Sequence, residues 1–157
     1  MISSFHISDT VEAKLVSAEH SKALDDTDSS SAIDKNFASF SKIGQSADQT
    51  TWLKVELDRI HCVQQVIEYK ADRSIQYKWK CSGDRCSDCT GPNCNYFVLT
   101  VSTKDPPAQT LSSKPECKYG DVVKQEKIAE KDTLTVNEMV VIAGLSLPPF
   151  QNDLYLA

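Results

Sequence analysis

Thr51-Trp52-Leu53-Lys54-Val55-Glu56-Leu57 alternates apolar Leu53, Val55 and Leu57 with charged Lys54 and Glu56, the period-two pattern of a strand that buries one face. Upstream, Ser31-Ala-Ile-Asp34-Lys-Asn36 sets an acid and an amide two residues apart, with a serine three positions before the acid. That segment is too polar and irregular for a core, and its oxygens suit a hard cation. A polar loop fixed to a half-buried strand is the usual place for a binding site on an all-β scaffold.

The same period recurs outward from this strand. Val11 to Val16 is a short alternating run, and Cys62 to Tyr69 follows the Trp52 strand. Ile75, Tyr77 and Trp79 then alternate with polar neighbours, which suits a pleated, half-buried surface. Tyr96–Ser102, Asp121–Ile128 and Leu134–Gly144 read as further strands, the last ended by glycine. Leu147-Pro-Pro-Phe150 prevents helix continuation, and no repeat or amphipathic helix is legible. Short strands joined by turn-rich loops predict an all-β, antiparallel β-sandwich. Asp26-Thr-Asp28 opens like an EF-hand loop, but Ser31 stands where glycine is needed and Phe37 where glutamate is needed.

A chain of 157 residues is long enough for one domain with a real core. The expected division is a domain over 1–146, with a cysteine-rich hairpin insert at 81–95, and a tail over 147–157. The formal charge of -5, without a long lysine or arginine run, argues against nucleic acid as the partner. No apolar run approaches the roughly 20 residues of a membrane span, and Met1 to His6 has neither a basic start nor an apolar core, so a soluble chain whose secretion signal is missing or removed is expected.

Six cysteines favour an oxidising, extracellular setting, although no Asn-x-Ser/Thr site is present. Cys81, Cys86, Cys89 and Cys94 crowd into residues 81–95 with Gly83 and Gly91, which requires a tightly turning loop stapled by covalent or metal bonds. Their spacing is open to a tetrahedral zinc site, and the first three match a plant-type ferredoxin spacing that lacks a distant fourth ligand. Disulfides are the expected chemistry. The favoured pairing is Cys81 with Cys94 across the mouth of a long hairpin, Cys86 with Cys89 inside it, and Cys62 with Cys117.

Ala32-Ile-Asp34-Lys-Asn36, then a serine-rich loop, then Trp52-Leu-Lys-Val-Glu-Leu57, then Leu134-Thr-Val-Asn-Glu138-Met-Val140-Val-Ile-Ala-Gly144 resembles the discoidin-like galactose-binding domains. Within them the order is most similar to the F-type lectins, or fucolectins, over roughly residues 8–145. The resemblance implies a jelly roll of about eight antiparallel strands and a structural calcium ion. Its ligands would be the carbonyls of Ser31, Asn36 and Asn137, the carboxylates of Asp34 and Glu138, and an oxygen from the Ser41 to Ser46 loop. The physical chemistry agrees, since calcium takes six to eight oxygens and mixes carboxylates with carbonyls. The other reading is an Asx turn at Asp34 and Asn36 with Glu138 a solvated strand residue.

Fucolectins hold sugar with a histidine before the tryptophan strand and two arginines after the next one. Here the first loop has no histidine, and the second segment reads Lys70-Ala71-Asp72-Arg73-Ser74. Cationic and aromatic residues nevertheless gather nearby, and Lys70, Asp72, Arg73, Tyr77, Trp79 and Arg85 are the expected ligand-binding set. Aromatic faces suit the apolar side of a sugar ring and charged groups its hydroxyls. The alternative places Tyr77 and Trp79 in the core.

No nucleophile elbow, phosphate loop or zinc-protease motif is present, and His6, His20 and His61 are scattered. The expected function is non-catalytic: a calcium-stabilised extracellular lectin-like domain that binds a carbohydrate or glycoprotein. The alternative partner is another extracellular protein, for a module that kept the calcium fold and lost the sugar site. Oligomerisation is left open.

Overall fold

The computed structural model describes residues 10–47, 50–83, 85–91, 94–105, 116–127 and 133–145. The tail from 147 onward and residues 106–115 lie outside these residues. Antiparallel strands make up most of the described chain: β1 Thr10–Glu12, β2 Leu15–His20, β3 Ser41–Ile43, β4 Trp52–Tyr69, β5 Ile75–Ser82, β6 Arg85–Thr90, β7 Phe97–Ser102, β8 Lys118–Lys127, β9 Leu134–Val136 and β10 Glu138–Gly144.

The segments read separately as a Trp52 strand and a Cys62 strand are one strand of 18 residues, and it organises the sandwich. Its first half, Leu53 to Leu57, pairs with β2, and Trp52 to Glu56 pairs with β8. Its second half, Cys62 to Tyr69, pairs with β10, and Gln65 to Tyr69 with β5. An irregularity between Glu56 and His61 bends the strand, so that it leaves one layer and enters the other. One layer therefore runs β2-β4-β8-β7 and the other β1-β10-β4-β5-β6. The core lies between them. Leu53, Val55, Leu57, Leu99, Val101 and Val123 come from the first layer and Val63, Val66, Tyr77, Trp79, Met139 and Val141 from the second.

Three expectations need correction. Val11 to Val16 spans the end of one strand and the start of another, with Ala13 and Lys14 between them. The strand read over Leu134–Gly144 breaks at Asn137 into β9, which pairs with β3 in a small separate sheet, and β10, which pairs with β4. The cysteine insert does not close a hairpin between the Trp79 and Phe97 strands. Residues 85–90 form β6, which folds back on β5, while β7 pairs with β8 in the other layer.

That difference also corrects the disulfides. Cys62 bonds Cys117 as expected, but Cys81 bonds Cys86 and Cys89 bonds Cys94. Once β6 doubles back, Cys81 and Cys86 face each other directly across the ladder, one pair in from Ser82 and Arg85. No cysteine is left as a free thiol, which removes the zinc reading. His61 is buried and meets Asp58 at 2.8 Å, while its neighbour Cys62 is oxidised.

Candidate functional site

The polar segment that opens the calcium reading is shaped by short side chains bonding nearby backbone. Asp28 caps a single 3-10 turn over Ser29–Ala32, its carboxylate accepting from the Ser30 N–H at 2.9 Å. That bond holds the Asp28 carboxyl below its ordinary range. Downstream, Asp34 Oδ1 accepts from the Asn36 N–H at 3.0 Å and Asn36 Oδ1 from the Ala38 N–H at 3.0 Å, two successive Asx turns. Lys35 between them takes φ +63°, the left-handed conformation that such turns tolerate.

These turns bring oxygens together. Ser39 Oγ lies 2.6 Å from Asp34 Oδ2, 2.9 Å from the Asn36 carbonyl and 3.4 Å from the Ser31 carbonyl. A hydroxyl has one proton, so it satisfies one of the three acceptors at a time. The Asx turns are therefore real, and they converge three of the expected cation ligands. The further oxygen beside them is that of Ser39, outside the Ser41 to Ser46 loop where one was expected. Ser41 is fully buried in β3 with its hydroxyl donated to the Asp28 carbonyl, and Ser46 bonds Thr50.

The far half of the site comes from the break between β9 and β10. The Asn137 side-chain amide donates to the carbonyls of Phe37 at 2.9 Å and Ser39 at 3.1 Å, across a separation of about 100 residues. Glu138 is 3% exposed and its Oε1 accepts from the Lys35 N–H at 3.0 Å. Burial pushes its carboxyl up to about 7, opposed by that N–H and reinforced by the Asp34 charge. It is not the solvated strand residue of the alternative reading. Among the described residues no group of three or more His, Cys, Asp or Glu side chains gathers, because this oxygen set draws mainly on carbonyls and one hydroxyl. The donors fit a hard, oxygen-seeking ion.

Beside this loop lies the turn that joins β4 to β5. Asp72 accepts from both the N–H and hydroxyl of Ser74, which lowers its carboxyl, and Arg73 takes φ +69°. The Arg73 guanidinium sits 4.6 Å from the centre of the Phe37 ring, and Tyr69 meets the same ring edge-on at 5.4 Å. Lys70, Asp72 and Arg73 are thus exposed together beside the Asp34–Ser39 loop. Tyr77 and Trp79 are not with them. They are 6% and 2% exposed and belong to the core, so their faces are closed to a ligand. The clustering of cationic and aromatic residues suggested a ligand face, but the alternative holds: Tyr77 and Trp79 point between the layers. Arg85 is exposed on β6, away from the turn in sequence and in strand pairing.

The chain matches no protein-family model and no curated protein. Solved structures do resemble it. A fucose binding module of Streptococcus pneumoniae aligns over 83% of this chain and 96% of its own, with a TM-score of 0.54 and 13% identity. The fold is that of such modules. A family 32 carbohydrate-binding module from C. perfringens NanJ, in complex with galactose, covers 85% of this chain and 98% of its own, at a TM-score of 0.53 and 12% identity. The lectin binding domain of lectinolysin, complexed with Lewis b, covers 82% and 92% at a TM-score of 0.52 and 15% identity. At such identities the likeness establishes the galactose-binding-domain sandwich and leaves side-chain roles to the geometry above.

Phe37, whose ring meets Arg73 and Tyr69, is the residue at this turn that sequence reading did not single out. Nothing in Asn36-Phe37-Ala38 marks it; only the Asn137 contacts that pin its carbonyl bring its ring under Arg73.

Proposed function

We propose that this chain is a calcium-stabilised, non-catalytic carbohydrate-binding module that acts outside the cell. Three disulfides support the oxidising setting, and among the described residues no helix is long and apolar enough to cross a membrane. The fold likeness to modules described as binding fucose, galactose and Lewis b supports carbohydrate as the ligand class.

The observation that carries the reading is the seating of Arg73 on Phe37 at the rim of the oxygen cluster. Stacking fixes the guanidinium plane, and a fixed fork of donors suits neighbouring hydroxyls of a sugar ring. The ring of Phe37 hangs from the loop in which oxygens of Ser31, Asp34 and Asn36 gather around Ser39, with Asn137 and Glu138 bonded to its backbone from the β9–β10 break. A calcium ion there would neutralise the two carboxylates and hold that loop against β10. Ser39 is the sixth contributor.

A glycan array probed in calcium and again in EDTA tests this. Signal on a subset of glycans in calcium, weakened by EDTA, is expected; no signal in calcium on any glycan would contradict the sugar reading. Arg73→Ala should weaken a positive glycan about tenfold, the loss of one charged hydrogen-bonding contact, without lowering the melting temperature.

A second reading, a protein-binding module, is favoured by the burial of Tyr77 and Trp79, which leaves fewer aromatic faces than the sequence promised. Capture of extracellular proteins stripped of their glycans would decide for it.

A further inference from the structure

Strands β5 and β8 share one edge of β4. Val63 pairs with Lys118 of β8, and Gln65, two residues on, pairs with Lys80 of β5. Between these pairs the two neighbours part, β5 going on with β6 and β8 with β7. A cleft of about 370 Å³ opens at this fork. Its lining is Gln64, Gln65, Lys80, Cys81 and Glu116. Gln64 falls at an irregularity of the opposite ladder, where Ile142 pairs with Gln65 but Ala143 pairs with Val63. That irregularity lets consecutive glutamines both line the cleft, Gln64 with its amide nitrogen lying towards Gly144 of β10. The fork is held by two disulfides, Cys62–Cys117 beneath β8 and Cys81–Cys86 at the end of β5.

The chemistry of the lining is mixed and idle. Among the described residues no hydrogen bond or ion pair engages the side chains of Gln64, Gln65, Lys80 or Glu116. The ammonium and the carboxylate cancel in charge, so neither an anion nor a cation is favoured overall. Two amides offer donors and acceptors, Lys80 donors only and Glu116 acceptors only. An apolar ligand would strip water from these groups and leave them unsatisfied. A compact neutral molecule whose every substituent both donates and accepts would satisfy all four.

We propose that the fork between β5 and β8 is a second ligand site, which takes a neutral saccharide unit. It goes beyond the function proposed above, since none of its residues belongs to the Arg73 turn. The pair of sites would let one module grip two points of a branched or repeating glycan.

The test is a titration of the whole, disulfide-intact chain followed by amide resonances. The probes are D-galactose, L-fucose, D-glucose and D-mannose, with D-glucuronate, D-glucosamine and free glutamate as charged and zwitterionic comparators. Saturable shifts of the Gln64 and Gln65 side-chain amides with at least one neutral sugar are expected. Lys80→Met and Glu116→Gln, both at exposed positions, should each weaken that binding at least fivefold. Arg73→Ala should leave it unchanged, which separates this site from the turn. Absence of saturable shifts at these amides with every neutral sugar would overturn the proposal. So would retention of affinity in the Lys80→Met, Glu116→Gln double variant, or tighter binding of glutamate than of any neutral sugar.

Discussion

A carboxyl group lies fully buried between the layers at Glu68, where the β4 backbone pairs with Met139 on one side and Tyr77 on the other. Its partner is the equally buried Gln125 of β8; with the Gln125 amide turned so that its nitrogen faces the carboxyl, it donates to Glu68 Oε1 at 3.0 Å. One polar contact thus spans the two sheets. Burial raises the Glu68 carboxyl to about 8, only partly opposed by Gln125. The folded chain therefore keeps a proton that the unfolded chain loses near 4.5. Its contribution to stability is complete below about pH 4.5, declines as pH rises towards 8 by up to ~1.4 kcal/mol per pH unit, and is flat above. Glu68→Gln keeps the shape without the titration, so its melting temperature should fall less than the parent's between pH 5 and pH 8. Parallel slopes for the two would contradict the assignment. The sequence could not show this residue. In Val66-Ile67-Glu68-Tyr69 the charge alone reads as an outward position, but Glu68 shares the face of core Val66 and sits opposite core Tyr77.

At the scale of elements, the disulfides separate by the chain they close. Cys62–Cys117 spans 55 residues and ties the bend of β4 to the start of β8, whereas Cys81–Cys86 spans 5 within one hairpin. Loop-closure entropy predicts a cost of about 4 kcal/mol for Cys62→Ala with Cys117→Ala and about 2 kcal/mol for Cys81→Ala with Cys86→Ala, read by denaturant unfolding. Equal costs would mean that local geometry outweighs loop length. Non-reducing peptide mapping should recover Cys81 with Cys86 and Cys89 with Cys94. The β7–β8 pair makes a sharper test. A Cβ at Gly120 would sit 2.5 Å from the Ser102 carbonyl oxygen and 2.6 Å from Val101 Cγ1. Gly120→Ala should therefore cost about 1–3 kcal/mol, as overpacking does. The strands around these features were legible because alternation is local. Their partners were not, because a cysteine-rich turn that doubles back and one that ends a long hairpin have the same composition.

At the scale of the whole molecule, the sandwich and the anchors of the cation loop could be read from one chain, and the loop's final geometry could not. Asp34, Asn36 and Asn137-Glu138 stood out as polar residues placed next to strands. Ser39 and Phe37 did not, since their roles arise only when Asn137 reaches back across about 100 residues to the Phe37 and Ser39 carbonyls. The β9–β10 break and the Phe37 loop are thus tied together, and the same loop carries the ring that Arg73 covers. A cation in that cluster should stabilise the whole sandwich and not just the loop. Thermal melting of the parent and Asp34→Ala, with calcium and with EDTA, reads this directly. Calcium at a hundredfold excess over its Kd should raise the parent's melting temperature by about 5–10 °C and leave that of Asp34→Ala unchanged. An equal rise in both, or none in the parent, would contradict the account.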